Sequence, residues 1–143
     1  MATEKEVDIV ARTVYGEARG EPRLGRIAVA WTIRNRVEKD LFNDGKADWW
    51  GEGYEAVCLK PWQYSCWNAN DPNRALLEKL TDVNLVFAGV KEQIREVLED
   101  KISDPTYGAT HYYNPKVVEE PKWAKGLSPC ANIGNHKFYR DVP

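Results

Sequence analysis

Glu17 is the residue around which chemistry can be built. It lies within Glu4–Val37, EKEVDIVARTVYGEARGEPRLGRIAVAWTIRNRV. Val7, Val10, Ala11, Val14, Tyr15 and Ala18 recur at helical intervals and predict a helix with one apolar face. Glu17 falls at the edge of that stripe, half towards the core. Gly20 is the expected helix stop, and Pro22 suits the first turn of a second helix. Glu17 then occupies the last turn of the first helix. There, the negative end of the helix dipole and partial burial both disfavour an ionised carboxylate. A carboxylic acid that holds its proton is what cleavage of a glycosidic bond requires. The ordinary alternative is a solvated surface Glu paired with Arg19 or Arg23.

A second acid is harder to place. Glycosidases commonly flank the scissile bond with two carboxylates roughly 5 to 9.5 Å apart. Glu21 would share a helix face with Glu17, and with Pro22 next to it, it is expected to end or cap a helix. Asp40, Asp44, Asp48 and Asp71 are available, but nothing marks one as a partner. A scheme with one carboxylate fits the sequence better.

The elements that must position Glu17 follow. Residues 22 to about 39 read as a second helix whose apolar residues run well around its circumference, as in a central helix with several neighbours. From Asp40 to Asn70 no long period survives, and Gly51, Gly53 and Asn43-Asp44-Gly45 signal turns. Trp49, Trp50, Tyr54, Trp62, Tyr64 and Trp67 crowd this segment. Flat sugar faces stack on such rings, so a glycan groove competes with core packing as their use. Gln63 and Ser65 could add polar contacts that fix a sugar's orientation. Asp71-Pro72 opens another helix, and Val83 to about Lys101 keeps helical spacing until Pro105. Tyr107–Tyr113 reads as a short strand or loop ending at Asn114-Pro115, residues 116–129 as loop, and Ile133–Tyr139 as a last short strand or turn. The expectation is a single domain, mainly α (α+β), with a small irregular or β-containing lobe beside a cleft.

Composition narrows the function. The 143 residues, 43% hydrophobic, suffice for one core. A net charge of −2 argues against nucleic acid and anionic membrane as partners, and short positive stretches such as Lys122–Lys125 read as solvated. No apolar run approaches the roughly 20 residues of a membrane span, so no stable membrane association is expected. The odd count of Cys58, Cys66 and Cys130 argues against a disulfide framework, although Cys58 and Cys66 could close their short loop in an oxidising compartment. With His111 and His136 they match no zinc spacing, so no metal and no cofactor are expected.

Four ordered blocks carry a family resemblance. The first is Glu17, Ala18, Gly20, Glu21 and Pro22, with Gly25, Ala28-Val29-Ala30 and Asn35-Arg36. The others are Gln63-Tyr64-Ser65, His111-Tyr112-Tyr113-Asn114-Pro115 and Ile133-Gly134-Asn135-His136-Lys137-Phe138. Together they resemble the spore-cortex-lytic (SleB-type) cell-wall hydrolases, a family that also occurs as compact phage endolysins. The resemblance implies a lysozyme-like fold and lytic transglycosylation of a peptidoglycan glycan strand. Glu17 would protonate the oxygen between N-acetylmuramic acid (MurNAc) and N-acetylglucosamine (GlcNAc), then help close a 1,6-anhydro ring. Gln63, Tyr64, Ser65, Tyr112, Tyr113, Asn114 and His136 are the implied substrate-binding residues, with Trp62 as a stacking surface. The competing readings are a lysozyme-type muramidase with a second carboxylate, a zinc amidase using His111, His136 and a Cys, and a non-catalytic glycan-binding module. The acidic opening MATEKEVD has no apolar core. A monomer made in the host cytoplasm, meeting the wall after holin-type release, is therefore expected.

Overall fold

The computed structural model describes residues 2–41, 50–51, 53–60 and 63–142. Helix α1 spans Glu4–Ala18. Its start is fixed by a capping box: the Thr3 hydroxyl accepts from the Glu6 N–H at 3.1 Å, and the Glu6 carboxylate accepts from the Thr3 N–H at 2.9 Å. Val7, Val10, Ala11, Val14, Tyr15 and Ala18 are buried, which is the predicted stripe. The helix stops without a left-handed glycine. Arg19 caps it in right-handed geometry, Gly20 has no positive φ, and the Glu21 N–H bonds Ala18 O at 2.9 Å to turn the chain.

Helix α2 spans Arg23–Leu41. Every residue from Ile27 to Ile33 is buried, because α1, α3 (Gly53–Leu59), α5 (Leu85–Leu98) and the small sheet pack around it. Helix α4 (Asn73–Lys79) and a 3-10 turn at Ser65–Trp67 close over α1. The α5 helix starts later than its hydrophobic period suggests. The Asn84 side chain accepts from Val86 N–H and Phe87 N–H at 3.0 and 3.1 Å, which sets the first turn at Leu85 and leaves Val83 in solvent. Among the described residues, no helix is long and apolar enough to cross a membrane.

The second lobe is an antiparallel sheet in the order β1-β3-β2, with β1 His111–Tyr113, β2 Ala131–Ile133 and β3 His136–Tyr139. Tyr112 lies opposite Phe138, and Ile133 opposite His136. The β2–β3 turn needs Gly134, which has φ +58°. The sheet is tied to α2 by adjacent residues. Asn35 Nδ2 donates to Asp104 Oδ2 at 2.9 Å and to Ala109 O at 2.8 Å, and Arg36 Nε donates to Thr110 O at 2.7 Å. All three cysteines are free thiols, with Cys58 and Cys66 buried.

Candidate active site

Glu17 is the penultimate residue of α1 and is half-buried. It faces a cleft of about 220 Å³ between the helices and the sheet, lined by Glu17, Arg36, Gln63, Tyr64, Ser65 and Tyr112, with His111 and Trp123 on the sheet side. Two donors from distant segments hold the carboxylate. The Tyr112 hydroxyl donates to Oε1 at 2.8 Å, and the Cys66 N–H donates to Oε2 at 3.3 Å. The second contact depends on Gly16. A Cβ there would stand 2.7 Å from Cys66 Cβ, so only glycine lets the 3-10 turn lie this close to α1.

The sheet brings Tyr112 to the acid. Burial first, then the negative charge of Glu17, raise its phenol well above the usual value, so it remains a proton donor to hydrogen bonds. His136 stands behind it, its ring edge-on to Tyr112 at 5.0 Å. Burial outweighs the nearby carboxylates and lowers the His136 pKa, so its imidazole is neutral at neutral pH. His136 Nδ1 is 3.4 Å from Glu21 Oε1.

Glu21 itself is buried and latches the β2–β3 turn. Its Oε1 accepts from the Asn135 N–H at 2.9 Å and its Oε2 from Asn135 Nδ2 at 2.8 Å. Burial raises its proton affinity, but the Asn135 donors, His136 and Lys116 together leave it below the usual carboxylate value. A Cβ at Gly134 would meet Glu21 Oε1 at 2.5 Å, so the turn is glycine for close approach as well as for φ. The carboxylate is used up in this latch, at the α1–α2 corner where the sequence placed a helix end.

Strand alternation separates the other predicted residues. Tyr112 faces the cleft. Tyr113 points to the opposite face, where it packs on Trp123 and Tyr139 with ring centroids 6.0 Å away in both cases. Asn114 closes the end of β1, its side chain accepting from the Lys116 N–H at 2.9 Å. Neither residue lines the cleft. Tyr64 and Ser65 do, and Gln63 both lines it and clasps the wall, donating to Trp50 O at 3.0 Å and Val57 O at 2.8 Å. Trp62 and Trp49 lie outside the described residues. Trp50 and Trp67 are buried, and Trp67 Nε1 donates to Thr13 Oγ1 at 2.8 Å, so these two rings belong to the core.

Three lining residues were given no substrate role in the sequence reading. Arg36 is buried with its guanidinium over the Trp50 and Tyr64 rings at 5.5 and 5.4 Å. His111, considered there only as a zinc ligand, is held neutral. Burial, then the charges of Arg36 and Lys39, lower its pKa to about 4. Trp123 packs against it at a tilt of 54°, with ring centroids 4.9 Å apart. The Asn-Arg pair was the available signal for Arg36. Nothing short of the fold marked Trp123, which lies in a segment without period. Among the described residues, no three His, Cys, Asp or Glu side chains gather where they could hold a metal ion.

A helical body, a three-stranded lobe and an acid at the cleft between them define a lysozyme-like domain. Two solved structures share it. The catalytic domain of the germination-specific lytic transglycosylase SleB from Bacillus anthracis superposes with TM-score 0.67 at 25% identity, covering 97% of each chain. The catalytic domain of the Bacillus cereus SleB protein gives 0.69 at 26% identity, covering 98% of this chain and 93% of that one. The Cell Wall Hydrolase family model matches residues 20–139, and the chain belongs to that family. The spore cortex-lytic enzymes of Bacillus subtilis and Halalkalibacterium halodurans are 29% and 28% identical to it over 138 residues. These matches cover 95% of this chain but 38% and 35% of those proteins, so the chain spans little more than a third of their length.

Proposed function

We propose that this chain cleaves the MurNAc–GlcNAc β-1,4 bond of peptidoglycan as a lytic transglycosylase, with Glu17 as its one catalytic acid and base. The observation that carries the reading is that Glu17 is the only carboxylate lining the cleft among the described residues. The catalytic-domain neighbour described as a lytic transglycosylase supports it.

The proposed chemistry uses each group once. Glu17 gives its proton to the glycosidic oxygen as the bond from MurNAc C1 breaks, and the GlcNAc end leaves as an alcohol. Charge on the sugar is oxocarbenium-like at this point. The MurNAc C6 hydroxyl then attacks C1 and returns its proton to Glu17, which closes the 1,6-anhydro ring without consuming water. Tyr112 and the Cys66 N–H keep the carboxylate aimed through both transfers. Arg36, on the same wall, offsets the negative charge that Glu17 carries between them. Neutral His111 and the Trp123 ring offer the sugar a hydrogen-bonding edge and a stacking face.

Mass analysis of the sugar ends released from purified peptidoglycan tests the outcome. Anhydro-MurNAc ends, lighter by one water than reducing ends, are expected. Reducing MurNAc ends would assign a hydrolase with a second acid instead. The endolysin setting, with cytoplasmic synthesis and holin-type release, is proposed alongside on the family resemblance. Expression alone should leave cells intact, and expression with inner-membrane permeabilisation should lyse them; lysis without permeabilisation refutes this setting.

A further inference from the structure

Beyond Trp123 the cleft does not end. A second cavity of about 260 Å³ is lined by Lys122, Trp123, Lys125, Leu127 and Val142, so the indole is a partition shared by the two spaces. The partition is firmly held. Tyr139 and Tyr113 pack against it near right angles at 5.2 and 6.0 Å, and His111 packs at 4.9 Å from the cleft side. We propose that this second cavity binds the acidic peptide stem of the wall polymer while the glycan strand occupies the Glu17 cleft. The inference rests on the transglycosylase reading for the identity of the strand, and on this cavity for the stem.

Charge and shape argue for that occupant. Lys122, Trp123 and Ala124 form a 3-10 turn capped at Lys125. Lys122 and Lys125, at the two ends of this turn, both line the cavity. Both lysines are exposed, and neither has an acidic partner among the described residues. Of the neighbouring cations, Lys116 donates to Asn135 Oδ1 at 3.0 Å and Arg140 pairs with Asp141 at 3.8 Å. Gly126, with φ +79°, folds the chain back so that the Leu127 N–H bonds Ala124 O at 3.0 Å, which brings Leu127 into the lining. Two cations over a small apolar floor suit a short aliphatic peptide bearing carboxylates. A muramic acid residue carries its stem as a branch, and the shared indole lets sugar and branch lie on opposite sides of one ring.

The test compares soluble glycan strands that carry peptide stems with the same strands stripped of them by an amidase. The wild-type chain is expected to favour the stem-bearing strands in kcat/KM. In the double variant Lys122→Ala/Lys125→Ala that preference should shrink by about two- to thirtyfold, the range for two exposed ion pairs. Equal wild-type efficiency on both strands, or an unchanged preference in the double variant, overturns the proposal. A catalysis-free arm keeps it separate from the assignment of Glu17. A synthetic stem peptide titrated into the Glu17→Gln chain should shift the Trp123 indole N–H signal in NMR spectra saturably, and should not do so when both lysines are removed. No shift with the lysines present refutes the site even if the glycan chemistry stands.

Discussion

The Tyr112 hydroxyl meets Glu17 Oε1 at 2.8 Å across 95 residues of sequence. This contact joins the helical body to the sheet at the reacting group, and it makes the two residues separable by experiment. Glu17→Gln keeps the shape but cannot donate an acid proton. Lysis of purified peptidoglycan should fall by about 10² to 10⁴-fold with folding intact. Tyr112→Phe removes only the aiming hydroxyl and should cost less, on the order of tenfold, chiefly in kcat. A folded Glu17→Gln chain that lyses normally would remove Glu17 from the mechanism.

Glu21 is the control carboxylate. Glu21→Gln turns an amide nitrogen against donors from Asn135, so one buried contact is lost. We expect a stability loss of about 1 to 3 kcal/mol by chemical denaturation and a smaller loss of activity than Glu17→Gln gives. The opposite ranking in activity per folded molecule means that the acid is Glu21.

Gly16→Ala tests the close approach of α1 and the 3-10 turn. An alanine inside a helix ordinarily stabilises by about 0.5 to 1 kcal/mol over glycine. Here the added methyl would stand 2.7 Å from Cys66 Cβ and 2.9 Å from Leu77 Cδ1. Overpacking should reverse the sign and cost about 1 to 3 kcal/mol, read from the denaturation midpoint. Activity should fall further than the folded fraction does, because the Cys66 N–H is moved off Glu17. A Gly16→Ala chain more stable than wild type would show that the contact relaxes freely.

The two histidines predict an acid weakness. His111, with its pKa lowered to about 4, and His136, also lowered, stay neutral in the fold where the unfolded chain would take up protons. For both, the contribution is fully present above the unfolded value of 6.5 and is lost as pH falls below it, for His111 down to about 4. Unfolding free energy should therefore decline between these pH values, before the Glu21 latch is itself protonated. His111→Gln should flatten part of that decline. An equal slope in the variant would assign the loss to other groups.

Much of the helical body was legible because its signals are local. The α1 stripe, Pro22 at the next helix start and the broad apolar surface of α2 all follow from spacing. The α5 start was misplaced because hydrophobic period runs through Val83, whereas the Asn84 side chain decides the first turn. The cleft was harder. Tyr112 and Tyr113 are adjacent and chemically alike, and only strand geometry sends one to Glu17 and the other to Trp123. The tryptophan-rich segment looked like a sugar platform, yet Trp50 and Trp67 complete the core. Among the described residues, the tryptophan that lines the cleft, Trp123, comes from a stretch without periodicity and packs against Tyr113 and Tyr139.

The latch between Glu21 and Asn135 closes over 114 residues. Its consequence concerns the order in which the protein is synthesised. Synthesis runs from Glu17 and Glu21 towards their partners Tyr112 and Asn135, so the acid precedes both its hydroxyl donor and the far side of the latch. A nascent or truncated chain that ends before β1 carries Glu17 without Tyr112, His136 or the sheet wall of the cleft. The acid is therefore made before the groups that aim it, and a fragment ending short of β1 is expected to lack the assembled cleft.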